Sequence, residues 1–216
     1  MRTYVIGDIH GCPDELVCLL EALPLAPADR LIFLGDYIDR GPDSKEVVCY
    51  LLHRQATSHE EMIFLKGNHE DMLLSFLGLS GEHGDVFLHN GGAPTLASYG
   101  ASPLNHAPED VLRLIPRNHL NFFEELKDYY ITGDFLCVHA GIHPNKPLES
   151  QREDLFWIRD EFIHGTHDFP YTVLFGHTPQ ATVLFHLPYK IGLDTGLVYG
   201  NELRSEERRV GKECRL

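Results

Sequence analysis

Basic residues are scarce in this chain. Only 18 lysines and arginines stand against 32 aspartates and glutamates in 216 residues, a formal net charge of -14. A surface of that sign repels phosphate backbones and anionic headgroups, so no nucleic-acid partner and no membrane partner are expected, and a nuclease would lack its basic groove. Long apolar runs are missing too. The opening MRTYVIGDIHG has an apolar stretch of a few residues before charge intervenes, and nowhere do about 18 apolar residues follow one another. This predicts neither a signal peptide nor a membrane span, and a cytoplasmic protein. Cysteine is sparse and unpatterned. Cys12, Cys18, Cys49, Cys137 and Cys214 are odd in number, show no CxxC spacing and mostly fall in apolar runs. They read as reduced, buried thiols in a reducing compartment.

Apolar residues, at 43%, are plentiful, and at about 150 residues per domain the length allows one large domain or two small ones with a sizeable core, which argues against disorder. Histidine is also abundant, at 14 residues, and it is the commonest metal ligand and general acid or base. The first 80 residues alternate. Strands are predicted at 4–6, 31–34 and 62–65. A helix spans Pro13 to Leu23 with Leu16, Val17, Leu19, Leu20 and Leu23 on one face. A second is capped by Ser44 and runs through Val47, Val48, Leu51 and Leu52, and a third runs from Glu70 to Leu79. This βαβαβ pattern implies parallel strands covered by helices, with ligands bound beyond the strands' carboxyl ends. Residues 81–127 read as a lid-like insertion over one sheet edge, with helical segments near 108–114 and 119–126. Strands return at 129–132, 135–138, 172–175, 182–185 and 189–192, and their hairpin spacing suggests a second, more antiparallel sheet.

The tail differs in character. LeuValTyr at 197–199 is strand-like, but RSEERRVGKECRL at 204–216 has five bases, three acids and almost no apolar pattern. It reads as a solvated terminus, and its sequence resembles the translation of a sequencing-adapter oligonucleotide, so residues 204–216 are expected to be non-native and the domain to span 1–203. Without them, 13 bases and 29 acids remain, a net charge of -16. On this reading the native chain beyond 203, with a strand or two of the second sheet, is missing.

Each of the first three strands runs into a Gly-flanked polar cluster: Gly7-Asp8-Ile9-His10-Gly11, Gly35-Asp36-Tyr37-Ile38-Asp39-Arg40-Gly41 and Gly67-Asn68-His69-Glu70. Asp8 and His10, two apart at a strand end, point to one face and could share a metal ion. Two later strands run into His139-Ala140-Gly141 and Gly176-His177-Thr178.

These five blocks, in this order, resemble the calcineurin-like metallophosphoesterases over residues 5–196, and more narrowly the bacterial and phage lambda-type serine/threonine protein phosphatases. The resemblance implies an α/β fold, a four-layer α/β/β/α sandwich of two mixed sheets flanked by helices. It implies two divalent metal ions, Mn²⁺ foremost with Fe, Zn or Mg as alternatives. Asp8 and His10 would bind one, Asn68, His139 and His177 the other, and Asp36 both, with a metal-bridging hydroxide attacking phosphorus. His69 would protonate the leaving alkoxide, Asp39 would orient it, and Arg40, Asn68 and Arg159 would hold the phosphate. Arg159, in LeuPheTrpIleArgAsp (155–160), could equally be an exposed arginine pairing with Glu153 or Asp160. Asn90-Gly91-Gly92 resembles a lid element of the same group, or is a plain turn. His83, His89, His143, His164 and His167 are expected on loops without a catalytic role, and Cys12 and Cys137 in packing.

Two activities compete within the resemblance. Symmetrical diadenosine tetraphosphate hydrolases typically have Ala where this chain has Asp39, and Asp where it has Glu70. The intact pair favours a phosphoprotein or small phosphoester substrate, hydrolysed by a protein serine/threonine phosphatase, monomeric by default. The nucleotide pyrophosphohydrolase is the alternative, and from another class a metal-binding scaffold impaired by truncation, whose sheet edge would be open.

Overall fold

The computed structural model describes residues 1–102 and 107–209, with side chains through 206. In chain order the elements are β1 Arg2–Ile6, α1 Pro13–Ala22, β2 Arg30–Phe33, α2 Ser44–Thr57, β3 Glu61–Phe64, α3 Asn68–Phe76, α4 Ala93–Ser98, α5 Pro108–Leu114, α6 Arg117–Glu124, β4 Tyr129–Thr132, β5 Phe135–Val138, α7 Arg152–Trp157, α8 Asp160–His164, β6 Thr172–Phe175, β7 Leu184–His186, β8 Lys190–Gly192 and β9 Ser205–Arg209. They form two mixed sheets, ordered β3-β2-β1-β9 and β4-β5-β6-β8-β7.

The side-chain alternation of a strand sorts the core into three layers. Tyr4, Ile6, Leu31 and Phe33 face outward into a cluster with Leu16 and Leu20 of α1, Val47 and Leu51 of α2, Leu73 of α3 and Phe123 of α6. Their sequence neighbours Val5, Ile32 and Leu34 face the other way and meet Cys137, Leu174 and Ile191 between the sheets. Leu136, Val138, Val173 and Phe175 face α7 and α8 on the far side, packing on Leu155, Phe156 and Phe162. Helix, sheet, sheet, helix is therefore the layer order. Strands buried on both faces explain why β1, β2, β5 and β6 read as continuous apolar runs.

The second sheet is less antiparallel than its hairpin spacing suggests. Pairs β5–β6 and β6–β8 are parallel and only the flanking β4–β5 and β7–β8 are antiparallel. Strand β7 begins at Leu184, not Thr182, because β8 offers only Lys190–Gly192 as partners. Residues 197–199 form a 3₁₀ turn, not a strand. The tail also departs from expectation: Ser205–Arg209 pairs antiparallel with β1 from Ile6 to Arg2. Ladder bonds run through the main chain, so pairing with an open strand edge needs no apolar pattern. Residues 210–216 lie outside the described residues. Within 81–127, α4 packs on α2, and Leu120, Phe122 and Phe123 of α6 join the core. Among the described residues no helix is long and apolar enough to cross a membrane.

The parallel strands β1, β2, β3, β5, β6 and β8 bring their carboxyl ends to one rim of the sandwich. The five motif blocks, from five different strands, therefore converge.

Candidate active site

Six non-glycine residues among those described have positive φ, and five lie in the motif blocks: His10 (47°), Asp36 (53°), Asp39 (71°), Arg40 (68°) and His177 (63°). Such backbone costs about 1–3 kcal/mol per residue and persists only where the surroundings impose it. Glu70 is one of the groups imposing it. Helix α3 starts at Asn68, two residues before the expected Glu70, which makes Glu70 the third helical residue. From there its fully buried carboxylate accepts the N–H groups of Gly67 (3.0 Å), Asp36 (2.9 Å), Tyr37 (2.8 Å) and Ile38 (3.4 Å). One side chain thus caps its own helix and fixes the turn carrying Asp36. Gly67 must be glycine, since a Cβ there would lie 2.1 Å from Asp36 Oδ1.

Asp36 is the centre of the site. His10 donates through Nδ1 to the Ile38 carbonyl (2.9 Å), which leaves Nε2 as a lone pair 3.4 Å from Asp36 Oδ2. His139 donates through Nδ1 to the Leu34 carbonyl (2.9 Å), which leaves its Nε2 as a lone pair 3.4 Å from Asp36 Oδ1. Each oxygen of one buried carboxylate therefore faces the acceptor nitrogen of a different imidazole. Burial pushes His10 down to about 3 despite Asp36, and lowers His139 and His177 as well, so protonation is not how these acceptors are reconciled. Asp36 goes the opposite way: burial would raise it, but its histidine neighbours, His139 foremost, lower it overall. Asn68 Oδ1 lies 2.9 Å from His139 Nε2 and 3.0 Å from His177 Nδ1.

His69 Nδ1 lies 2.6 Å from Asp39 Oδ2, and its Nε2 has no partner among the described residues and stands 3.9 Å from Asp36 Oδ2. Burial disfavours its charge, but Asp36 and the bond to Asp39 outweigh that and raise it overall. Asp39 is fixed in turn by Thr95, whose hydroxyl donates to Oδ1 (2.5 Å), and its N–H is shared by Ser44 and Thr95 oxygens at 3.0 and 2.9 Å. Arg40 Nη1 reaches His10 Nε2 (2.6 Å), and its N–H donates to the Gly91 carbonyl (2.9 Å). A Cβ on Gly91 would lie 2.8 Å from Arg40 Cγ. The Asn90-Gly91-Gly92 element thus braces the Asp39–Arg40 turn.

Asp8 turns both oxygens to the His177 N–H (3.1 and 3.0 Å), and burial, with Asp194 and Asp36 nearby, raises its pKa well above the usual range. Among the described residues three-ligand groupings occur twice, His10–Asp36–His69 and Asp36–His139–His177, and Asp8 belongs to neither. Arg159 is exposed between α7 and α8 and forms no ion pair with Glu153 or Asp160 among the described residues; its charge helps depress His139 and His177. His167 lies on a loop, as expected, but is buried, bonded to the Tyr189 carbonyl (2.9 Å) and stacked on Phe162. Cys12 and Cys137 are buried, and burial raises them to about 11 and about 12, the state of packing thiols. Sequence reasoning missed Ser44 and Thr95 as supports of Asp39, and also Asp194, buried by the site and pushed by burial to about 6. Asp194 sits in Leu193-Asp194-Thr195-Gly196 after β8, a polar cluster beside glycine at a strand end like the five that were read.

A family model described as calcineurin-like phosphoesterase matches residues 1–203. The chain belongs to that family. Among curated proteins it is 30% identical to a symmetrical bis(5'-nucleosyl)-tetraphosphatase of Salmonella paratyphi C over 83% of this chain, and spans 57% of that protein's length. It is 28% identical to the asymmetrical bis(5'-nucleosyl)-tetraphosphatase PrpE of Bacillus velezensis, covering 94% of this chain and 87% of PrpE. A solved structure of a putative diadenosine tetraphosphatase superposes with a TM-score of 0.69 at 25% identity, over 95% of this chain and 88% of that one.

Calcineurin-like phosphoesterases use divalent metals, and the side chains fit them. Carboxylate, amide oxygen and neutral imidazole, without thiolate, are a donor set for first-row divalent cations. Imidazoles fixed through Nδ1 by backbone carbonyls are oriented as metal ligands are. The unpartnered buried Nε2 atoms of His69 and His177 add to this.

Proposed function

We propose that residues 1–203 form a two-metal phosphoesterase whose preferred substrates are phosphate monoesters of serine and threonine in proteins. Asp8, His10 and Asp36 would hold one cation and Asp36, Asn68, His139 and His177 the other. Two bound cations supply a water activated near neutral pH and offset the charge of the phosphoryl group. The chain's own groups do the rest. Arg40 and Arg159 take the non-bridging phosphate oxygens, Arg40 with a planar fork. His69, protonated on Nε2 and oriented by Asp39, donates that proton to the departing oxygen.

The Asp39–His69 bond carries this reading. A serine or threonine alkoxide is a poor leaving group and must be protonated as it leaves, so a raised imidazole fixed by a buried carboxylate suits it. A second reading, hydrolysis of a dinucleoside polyphosphate, is favoured by the tetraphosphatase relatives whose lengths this chain nearly matches. One experiment separates them: hydrolysis of a phosphoserine peptide and of diadenosine tetraphosphate, side by side with Mn²⁺ and with excess chelator. The first reading expects the peptide to win and chelator to silence both. A large preference for the dinucleotide replaces it with the second, and full activity in chelator removes both.

A further inference from the structure

Half of the 22 aromatic side chains of this protein are buried. Tyr199 is not: 62% of it is exposed, the highest among the large hydrophobic side chains of the described residues. Its ring lies against Arg40, with the guanidinium carbon 5.9 Å from the ring centre. The same guanidinium donates to His10 Nε2, so Tyr199 stands one residue out from the metal-ligand cluster, on the side where Arg40 would hold phosphate.

The backbone that carries the ring forms a defined turn. Tyr199 ends the 3₁₀ turn Leu197–Tyr199, flanked by Gly196 and Gly200 at φ 73° and 92°, and its N–H donates to the Gly196 carbonyl (3.0 Å). Leu197 is buried and anchors the turn. An exposed aromatic ring on a turn, beside an arginine placed to take phosphate oxygens, is the arrangement that binds a phosphate and a flat ring of the same molecule.

We propose that Tyr199 is a stacking platform for the base of a nucleotide whose phosphate is held at Arg40. Stacking is tolerant of base identity, so the class is a purine or pyrimidine nucleotide, not one particular base. The proposal deepens the dinucleoside polyphosphate reading, yet base recognition can be measured apart from it. Inhibition of phosphoserine-peptide hydrolysis by AMP and by ribose 5-phosphate isolates the base, since both carry a phosphate on the ribose 5-position. The expected result is an AMP inhibition constant about ten-fold below that of ribose 5-phosphate, the size of one stacking contact. In Tyr199→Ala the ratio should fall towards one, and in Tyr199→Phe it should persist. A ratio near one in the parent protein, or one that Tyr199→Ala leaves intact, overturns the proposal. If AMP is preferred through Tyr199 while diadenosine tetraphosphate is not hydrolysed, the base site stands and the dinucleotide reading falls.

Discussion

The two sides of Asp36 are held by different means. On one side His139 projects from the end of a parallel strand and is oriented by a single bond to the Leu34 carbonyl, with Asn68 and His177 as its close neighbours. On the other side His10, Asp39 and Arg40 sit on left-handed backbone, braced by Ser44, Thr95 and the Gly91 carbonyl, while Glu70 fixes the Asp36 turn between the two sides. The first side offers only acceptors to a cation. The second mixes acceptors with an arginine and with His69, whose pKa is raised by Asp36 and the bond to Asp39. Left-handed backbone occurs on both sides, at His177 as well as at His10, Asp39 and Arg40, so what sets the second side apart is the number of residues that brace it.

Substitutions should separate the two sides. The largest effect is expected at Asp36, which faces both: Asp36→Asn should lower metal content well below two per chain and cut activity by about 10³-fold or more, as loss of several kcal/mol of charge stabilisation implies. Metal analysis alongside turnover checks it. His69→Asn should cut turnover by about 10²–10⁴-fold with metal content unchanged. If metal is lost in parallel, His69 is a ligand, as its place in the His10–Asp36–His69 grouping permits, and the division between the sides disappears. Thr95→Val removes the hydroxyl holding Asp39 and should cost about 10–100-fold in turnover, again at constant metal content. Glu70→Gln should weaken metal binding on both sides and lower stability by about 1–3 kcal/mol, because an amide nitrogen would face N–H donors; metal titration and thermal unfolding read both.

The smallest effect lies away from the site. Lys190 is buried, bonded to the carbonyls of Phe162 and Gly165, and burial pushes it down to about 8. Its unfolded value is higher, so between pH 8 and about 10.5 the unfolded chain binds the extra proton and stability should rise with pH from this group, having carried the full penalty below 8. Unfolding of Lys190→Met across that range should lack the rise.

The metal-ligand candidates were legible because each occupies a short block at a strand end, and a strand end is recognisable from an apolar run stopping at glycine. The four-layer order was legible only through the family resemblance that these blocks carry. The braces were not. Thr95 lies 56 residues from Asp39 in sequence, and nothing local marks it. Glu70 was seen as part of a motif, but its hold on the Asp36 turn appears only when β2 and β3 lie side by side. The strand β9 is illegible because backbone pairing leaves no side-chain pattern, and residues 197–199 read as strand by their apolar run although Gly196 and Gly200 on either side make a turn.

The account rests on Asp36 as the carboxylate common to both sides. Titrating chelator-treated protein with Mn²⁺ by calorimetry, in parent and Asp36→Asn, tests this most directly. Two cations per chain in the parent and weakened binding of both in the variant are predicted. A variant that loses one cation and keeps the other at parental affinity would contradict it.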